Sequence, residues 1–348
     1  MQPRSFQVPW VFLIKVAVSA SFLAIIAFKV DMRQMWEALR AVNLGYFFLA
    51  FLLVLLGEVP TAMRLQLLMR PTSLRFGIVR LTRIVLISRF YMFFLPAGLG
   101  SALSRWHKIT RNKVGRSQFV VVLIVEKSLI LTLTLLSVAL PLLFVADPLA
   151  DSFRSGFMPV LWILLAAQIG FYAFLLVPRI QNALVKPGRQ VPWGSPRRLG
   201  ALYDRVARAA AIYGGHWGVF FRSVLFTLAL QVFLLAQLFL LFLALDIHLP
   251  VLTIVWISSL VFVLQALPIS FGGIGVRESG FAYLLSFYGI APERGVALGL
   301  LLMGLWILHA LVGGAFELTD KSAQPVSDPQ DTPLSGHPST VSARSDDP

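Results

Sequence analysis

Long apolar stretches without charge constrain this chain more than any other feature of its sequence. A helix needs about 20 consecutive apolar residues to cross roughly 30 Å of hydrocarbon. We predict six full spans: Trp10–Phe28, Leu44–Met63, Gln118–Val145, Phe157–Val177, Val219–Leu245 and Gly295–Phe316. The composition agrees, because 57% of the residues are hydrophobic and only 13% are charged, which is too apolar for an ordinary soluble domain. The sequence therefore predicts an all-α polytopic membrane protein.

Two further apolar stretches are interrupted by the same unusual pattern. Leu95–Arg105 and Leu267–Arg277 both begin with Leu-Pro, have a glycine four residues after the proline, and end with an arginine nine residues after it. Proline and glycine break helices, and backbone groups freed at membrane depth need partners in protein or water. We therefore predict a broken helical hairpin at each motif. The helix-breaking residues are Pro96, Gly98, Gly100, Pro268, Gly272, Gly273 and Gly275.

The basic residues predict how the spans are oriented. Residues 64–125 contain no acidic residue but carry arginines and lysines on both sides of the short apolar stretch Ile84–Leu95. Both flanks should therefore be cytoplasmic, and a re-entrant hairpin satisfies both. A second basic segment, residues 178–222, contains a single acidic residue. This pattern predicts a multi-pass protein of the cytoplasmic (inner) membrane with its N-terminus and its C-terminus in the cytoplasm.

The order of elements predicts two related halves. Each half has two spans, a broken hairpin and a third span, over about residues 10–146 and 157–318. An odd number of crossings separates the two motifs, so the halves should be inverted repeats whose hairpins are re-entrant from opposite faces. Secondary transporters commonly use this plan, with the substrate site near the bilayer midplane. Residues 1–320 would form the membrane domain, and the polar tail 321–348 should be disordered.

The net charge of +14 is best explained by the membrane. Basic residues first report which loops face the cytoplasm, so we expect no nucleic acid partner. Within the second basic segment, Arg197–Tyr213 has apolar residues at helical spacing with arginines on other faces. We predict an amphipathic helix at the interface and anionic lipid bound at the basic cytoplasmic loops.

The candidate functional residues are charged side chains inside apolar stretches, where charges are costly and commonly functional. They are Arg89, Arg105, Glu126, Arg277 and Glu278. Arg277 would hold an anionic head group such as phosphate with its planar guanidinium. In the alternative interpretation, Arg277 and Glu278 only neutralise or cap freed backbone groups. Neighbouring residues of a helix point about 100° apart, so these two need not pair with each other.

The first motif offers a different set of roles. Arg105 takes the place that Arg277 has in the second motif, but it borders a basic loop, which favours a role in topology or at the lipid surface. Glu126 lies inside a predicted span and therefore needs a charged partner. The candidates are Arg89, Arg105 and Arg277. It forms a structural ion pair or carries a proton in a coupled cycle. Glu58 should reach the interface.

Catalytic chemistry finds little support in the sequence. The chain has no cysteine, which excludes disulfides, thiolate metal sites and cysteine nucleophiles. The histidines are not spaced as metal ligands, and neither a phosphate-binding loop nor a nucleophile elbow is present. Gly272–Gly275 is not a dinucleotide-binding loop, because no strand precedes it. We expect no enzyme, no cofactor and no metal.

Leu267–Glu278 resembles the late motif of the flippase-like family that includes the transmembrane region of lysylphosphatidylglycerol synthases. That motif reads much like Leu-Pro-x-x-x-Gly-Gly-x-Gly-x-Arg-Glu, and this chain keeps every such position. The order of spans, Arg105 and the Glu126-Lys127 pair extend the resemblance over about residues 10–318. The early motif of the family often ends in Gly-Gly-Asp. Here the corresponding residues are Gly100, Ser101 and Ala102, so the acid is missing.

The resemblance implies translocation of a lipid or a lipid-linked head group. Because only a short polar tail follows the last predicted span, we expect translocation without lipid synthesis. The hypothesis is a flippase-like protein whose two hairpins form a polar groove for the head group of a membrane phospholipid or lipid-linked substrate. The alternative is a non-transporting membrane partner that recruits a glycosyltransferase or a lipid-modifying enzyme.

Overall fold

A computed structural model of the chain describes residues 30–92, 100–111, 115–181, 211–266 and 273–320, together with positions 21 and 28. All regular elements in these ranges are helical. The α-helices are α1 (Met32–Arg40), α2 (Leu44–Leu56), α3 (Glu58–Met69), α4 (Ile78–Tyr91), α5 (Gly100–Ile109), α6 (Arg116–Phe144), α7 (Pro148–Leu176), α8 (Trp217–Ala244), α9 (Val251–Ala266), α10 (Val276–Ser286) and α11 (Pro292–Leu318).

Five helical segments in the described ranges are long and apolar enough to cross a membrane. They are Leu44–Met69, which joins α2 and α3, and the helices α6, α7, α8 and α11. The predicted fold class, an all-α polytopic membrane protein, is confirmed. The first predicted span, Trp10–Phe28, lies outside the described residues apart from positions 21 and 28, so the count of six spans stays a prediction.

Several other predictions also fall outside the described residues. These include the motif residues Pro96, Gly98, Pro268 and Gly272 and the tail 321–348. Of the predicted amphipathic helix, only the end is described, as the short 3-10 helix Ala211–Tyr213. The structure does not test these predictions.

Two pairs of short helices stand where the broken hairpins were predicted. In the first short pair α4 contacts α5, and in the second short pair α9 contacts α10. At 1.5 Å per residue, α4 is about 21 Å long and α9 about 24 Å, so neither crosses roughly 30 Å of hydrocarbon alone. These lengths suit re-entrant hairpins, although the connecting residues 93–99 and 267–272 are not described.

Polar residues next to the apolar runs fix where several helices begin. The Asn43 side chain accepts hydrogen bonds from the backbone N–H groups of Gly45 and Tyr46 and so caps α2. Asp147 caps α7 in the same way, with Pro148 at the first helical position. Asp31 caps α1, and the hydrogen bonds it accepts from the backbone N–H groups of residues 33 and 34 lower the pKa of its carboxyl.

Each short pair packs against the last span of the other half of the chain. Helix α4 of the first short pair packs along α11, the last span, whereas α9 of the second short pair packs along α6. The span α2–α3 packs along α8. The apolar core has one part around Phe242, Trp256 and Phe281 and another around Leu65 and Phe119. The helices that carry the charged residues are therefore held together by helices distant in sequence.

Close helix contacts depend on glycine at the interface between α4 and α11. A Cβ atom added to Gly313 would lie 2.2 Å from the backbone oxygen of Leu86. Real atoms do not approach so closely, so any side chain there must push α11 away from α4. Small residues have this use in membrane helices, where backbones approach closely.

We predict that Gly313→Ala lowers the free energy of unfolding by about 1–3 kcal/mol, because the added methyl group overpacks a backbone contact. Gly304→Ala is the matched control, since it lies in the same helix and a Cβ there meets nothing within 4 Å. Thermal unfolding of the two purified variants in detergent measures the difference. Equal melting temperatures would show that α4 and α11 do not meet at Gly313.

Candidate functional site

Glu126 is the centre of a buried ion-pair network. It lies in α6 with a side chain that is only 2% exposed, and a buried carboxylate needs charged and hydrogen-bonded partners. Nη1 of Arg105, in α5, lies 2.9 Å from both carboxylate oxygens. Nη2 of Arg64, in α3, lies 2.8 Å from Oε1. One carboxylate therefore joins three helices from separate parts of the chain.

A second carboxylate lies close to this network. Glu58 is buried at the start of α3, near the middle of the span Leu44–Met69. Arg89 donates to both of its carboxylate oxygens, from Nε at 2.9 Å and from Nη2 at 3.3 Å. Nε2 of His309, in α11, lies 3.2 Å from Oε1 of Glu58. The prediction that Glu58 reaches the interface is wrong, because the span continues to Met69 and keeps Glu58 at its centre.

Long-range electrostatic interactions join the two carboxylates into one site. The charge of Arg89 interacts with Glu126 as well as with Glu58. The charge of Lys127 interacts with the following charges around it: Glu126, Arg105, Arg89 and Arg64. We call these six residues the basic cluster: Arg64, Arg89, Arg105, Lys127, Glu58 and Glu126.

The basic cluster carries more positive than negative charge. Four cationic side chains accompany two carboxylates. Because Lys127 is exposed, three of the cations face the two carboxylates within the helices, which leaves an excess of one positive charge there. Unbalanced charge is costly at membrane depth. An anion bound in the cluster would remove that cost, and guanidinium and ammonium groups are the side chains that bind phosphate most readily.

Arg64 keeps hydrogen-bonding capacity that the described residues do not use. The residue is 1% exposed. Its Nη1 donates to Oγ1 of Thr227 in α8 at 3.3 Å, but its Nε has no partner in the part of the chain that the structure describes. A buried donor without an acceptor costs about 1–3 kcal/mol. An acceptor brought to this Nε–H would remove that cost.

Lys127 is the most exposed member of the cluster. It is exposed although it lies eleven residues into α6, about 16 Å along the helix from Arg116. The exposed residues Val120, Ile124 and Leu131 share its face of the helix. Since an ammonium group is costly in hydrocarbon, we expect water or a polar head group beside Lys127.

Helix α5, which carries Arg105, is fixed at its far end by a second set of ion pairs. Nζ of Lys108 lies 2.7 Å from Oε2 of Glu317 and 2.8 Å from Oδ2 of Asp320, at the end of α11. The hydroxyl of Tyr91 donates to Oε1 of Glu317 at 2.8 Å. These contacts connect both helices of the first short pair to α11 and so position the guanidinium of Arg105.

Arg277 and Glu278 form a separate buried pair on α10. Each is 1% exposed. The guanidinium of Arg277 donates to Oε1 of Glu278 and lies over the ring of Trp306, 5.1 Å from its centroid. Oε2 of Glu278 accepts a hydrogen bond from the backbone N–H of Gly275 at 2.7 Å. Both Gly273 and Gly275 have positive φ angles, which glycine adopts without strain.

The geometry bears on two expectations about these residues. Helix geometry alone did not require Arg277 and Glu278 to pair, but both side chains are buried and turn toward each other, and they do pair. Glu278 also caps a backbone group, as the alternative interpretation proposed. Arg105, which was expected at a lipid surface, is buried against Glu126, because α5 folds back onto α6.

The structure brings together three predicted site residues, Arg89, Arg105 and Glu126, and adds Arg64. Arg64 was missed in the sequence because the predicted span ended at Met63, just before the first arginine of the basic segment 64–125. The helix continues to Met69, which places Arg64 inside it. The apolar residues Leu65, Leu67 and Leu68 that follow Arg64 were the available signal. In the described residues, Arg277 and Glu278 share no hydrogen bond or ion pair with the basic cluster.

Metal chemistry finds no support in the described part of the chain. No group of three or more histidine, cysteine, aspartate or glutamate residues there is arranged to hold a metal ion. The side chains that do converge are cations with two carboxylates between them.

We predict that Glu126→Gln lowers the free energy of unfolding by about 3–5 kcal/mol, because it leaves two buried guanidiniums without their carboxylate. The control is Glu37→Gln, whose partner Arg33 is exposed, and its effect should stay below about 1 kcal/mol. Denaturant titrations in mixed micelles measure both. If the two variants unfold alike, Glu126 does not hold the helices together.

Comparison with known proteins identifies the family. A search of curated proteins and a search of solved structures each found no match to this chain. The family described as lysylphosphatidylglycerol synthase TM region matches residues 12–313. This match covers all of the described helices except the end of α11, and it agrees with the resemblance of the Leu267–Glu278 motif. The chain therefore belongs to the lysylphosphatidylglycerol synthase transmembrane-region family, a family of membrane proteins in lipid-related processes.

Proposed function

We propose that this protein translocates a phosphate-bearing lipid between the two leaflets of the cytoplasmic membrane. The observation that carries the proposal is the basic cluster, in which three cationic side chains and two carboxylates lie between the helices and the fourth cation, Lys127, is exposed beside them. An anionic ligand would neutralise the excess positive charge and accept a hydrogen bond from the free Nε–H of Arg64. In this family, whose members work on lipids, the natural anionic ligand is a lipid head group.

The head group would enter the cluster from the lipid at Lys127. The residues on the same face of α6, Val120, Ile124 and Leu131, are exposed and apolar. Acyl chains can therefore stay in contact with this face and with the surrounding lipid while the phosphate reaches Lys127. The lipid does not need to leave the bilayer, and only its polar part crosses the hydrocarbon inside protein.

The two carboxylates would keep the phosphate from binding too tightly. Transport requires a site that is favourable enough to enter and weak enough to leave. Glu126 already forms ion pairs with Arg105 and Arg64, and Glu58 forms one with Arg89. A phosphate would exchange these pairs with the carboxylates, so the gain on binding is the difference between two sets of charge-assisted hydrogen bonds.

The second short pair would provide the other part of the route. Inverted repeats predict that it opens to the opposite face, and the reciprocal packing of α4 on α11 and of α9 on α6 supports two equivalent halves. Arg277 would then meet the phosphate after it leaves the basic cluster. Its guanidinium is held by Glu278 and Trp306, which fixes its orientation.

This proposal assigns no chemical reaction to the protein. The charged groups bind and release a head group, and no covalent bond is made or broken. The alternative is a membrane partner that recruits a glycosyltransferase or a lipid-modifying enzyme and moves no lipid. Such a protein needs no anion site inside the membrane, so the basic cluster favours translocation.

We predict that Lys127→Gln slows translocation at least about tenfold, because the entry site loses its charge, which corresponds to roughly 1.4 kcal/mol. The assay is dithionite quenching of a fluorescent phosphatidylglycerol in proteoliposomes. Lys127→Arg keeps the charge and is the matched control, which should retain most of the rate. A fluorescent glycolipid without phosphate should move much more slowly in the wild-type protein.

Two outcomes would contradict the proposal. If wild-type proteoliposomes move the labelled phospholipid no faster than empty liposomes, the protein does not translocate it and the membrane-partner function is preferred. If Lys127→Gln and Lys127→Arg have equal rates, the charge at the lateral opening is not used.

A further inference from the structure

A separate cavity lies where α3 ends and α4 begins. Its volume is about 410 Å³, and its lining includes Gln66, Arg70, Arg75, Phe76 and Gly77. We call it the loop groove. Arg70 follows Arg64 by six residues, which is about 9 Å further along the helix and toward the membrane surface. The groove and the basic cluster are therefore different places on one helix.

One arginine of the loop groove is held in position by the backbone. Nη1 of Arg75 donates to the carbonyl oxygen of Thr72 at 2.7 Å and to that of Leu74 at 3.0 Å. The side chain of Gln66 donates to the carbonyl oxygen of Phe76 at 2.9 Å. These bonds fix the loop, so the groove exists before any ligand arrives.

The start of α4 adds further positive character. Gly77 is the N-cap residue of this helix and supplies no side-chain hydrogen bond to the first turn. The free N–H groups of a helix N-terminus and its dipole favour an anion. Together with Arg70 and Arg75, they place three sources of positive potential around one cavity.

The surface leading to the groove is suited to acyl chains. Five exposed apolar residues form a ridge along the span α2–α3: Leu49, Leu52, Leu56, Val59 and Met63. Their spacing of three or four residues puts them on one face of the helix. Gln66 and Arg70 continue the same spacing, so the ridge ends in the groove. A molecule that follows this surface is apolar along its length and anionic at its end.

We infer that the loop groove binds the phosphate group of an anionic phospholipid whose acyl chains lie along the ridge. Residues 64–125 contain no acidic residue, so the adjoining sequence supplies no carboxylate to compete for Arg70 and Arg75. The bound lipid belongs to the leaflet at which α3 ends. This site does not depend on translocation, since it lies outside the basic cluster.

The experiment places a fluorescent reporter in the groove. The chain has no cysteine, so Gly77→Cys gives a single labelling site, and a Cβ at Gly77 meets nothing within 4 Å. The full chain, labelled with an environment-sensitive maleimide, is titrated in detergent micelles with short-chain phosphatidylglycerol. Matched titrations use phosphatidylcholine of the same chain length and inorganic phosphate.

We expect a saturable signal with phosphatidylglycerol that is at least fivefold weaker in apparent affinity with phosphatidylcholine. Arg70→Gln, in the same labelled background, should weaken phosphatidylglycerol binding about tenfold by removing a charge-assisted contact. Arg33→Gln is the control, because Arg33 is an exposed arginine of α1, which precedes α2 and so lies at the opposite end of the span α2–α3 from the groove. Lys127→Gln should also leave groove binding unchanged, which separates this site from the proposed translocation route.

Three results would overturn the inference. Equal affinity for phosphatidylcholine would show that the groove does not select an anionic lipid. Binding that survives Arg70→Gln would show that its guanidinium does not contact the ligand. Competition by inorganic phosphate at the same concentration as the lipid would show that the groove is a site for free phosphate, with no part played by the ridge.

Discussion

The charge on Glu126 is the constraint on which the rest of this structure depends. A carboxylate in the middle of a span can be buried only with partners, and here the partners come from α3 and α5. Arg64 extends the contact to Thr227 of α8. Four helices are therefore positioned by one acidic side chain. The same interaction holds several cations close together, which apolar packing alone would not do.

In the proposed function, the surplus of positive charge is what allows this arrangement of helices to bind a lipid head group. Apolar packing decides which helices touch, through close contacts such as Gly313 against Leu86. The proposed function makes the basic cluster an anion site at membrane depth, next to the exposed Lys127 and the exposed apolar face of α6. The loop groove repeats the combination of cations and apolar surface at the end of α3. Both features fit a family of membrane proteins in lipid-related processes, and both contain arginines close to apolar surface.

Much of the fold could be predicted from the sequence, because apolar length and charge position report membrane spans directly. Five of the six predicted spans coincide with long helices to within a few residues at most of their ends. The largest difference is in α7, which begins at Pro148 and not at Phe157 because Asp147 caps it. The other discrepancies also have physical causes. Arg64 was placed outside its span because an arginine resembles a boundary, whereas its ion pair with Glu126 lets the helix continue. The pairing of Arg277 with Glu278 was missed because neighbouring residues of a helix point in different directions. Here both side chains are buried and have no nearer charged partner among the described residues, so they turn toward each other. Contacts between distant helices cannot be read from local patterns, so the meeting of Glu58, Arg89 and His309 required the structure.

The most direct test of the central claim is a cryo-electron microscopy structure of the protein in nanodiscs that contain anionic phospholipid. The proposed function predicts phosphate density within hydrogen-bonding distance of Nε of Arg64 or Nζ of Lys127, with acyl chains along the face of Val120, Ile124 and Leu131. A map in which the basic cluster is closed to lipid, with Lys127 paired to a carboxylate of the chain and no head group near Arg64, would contradict it.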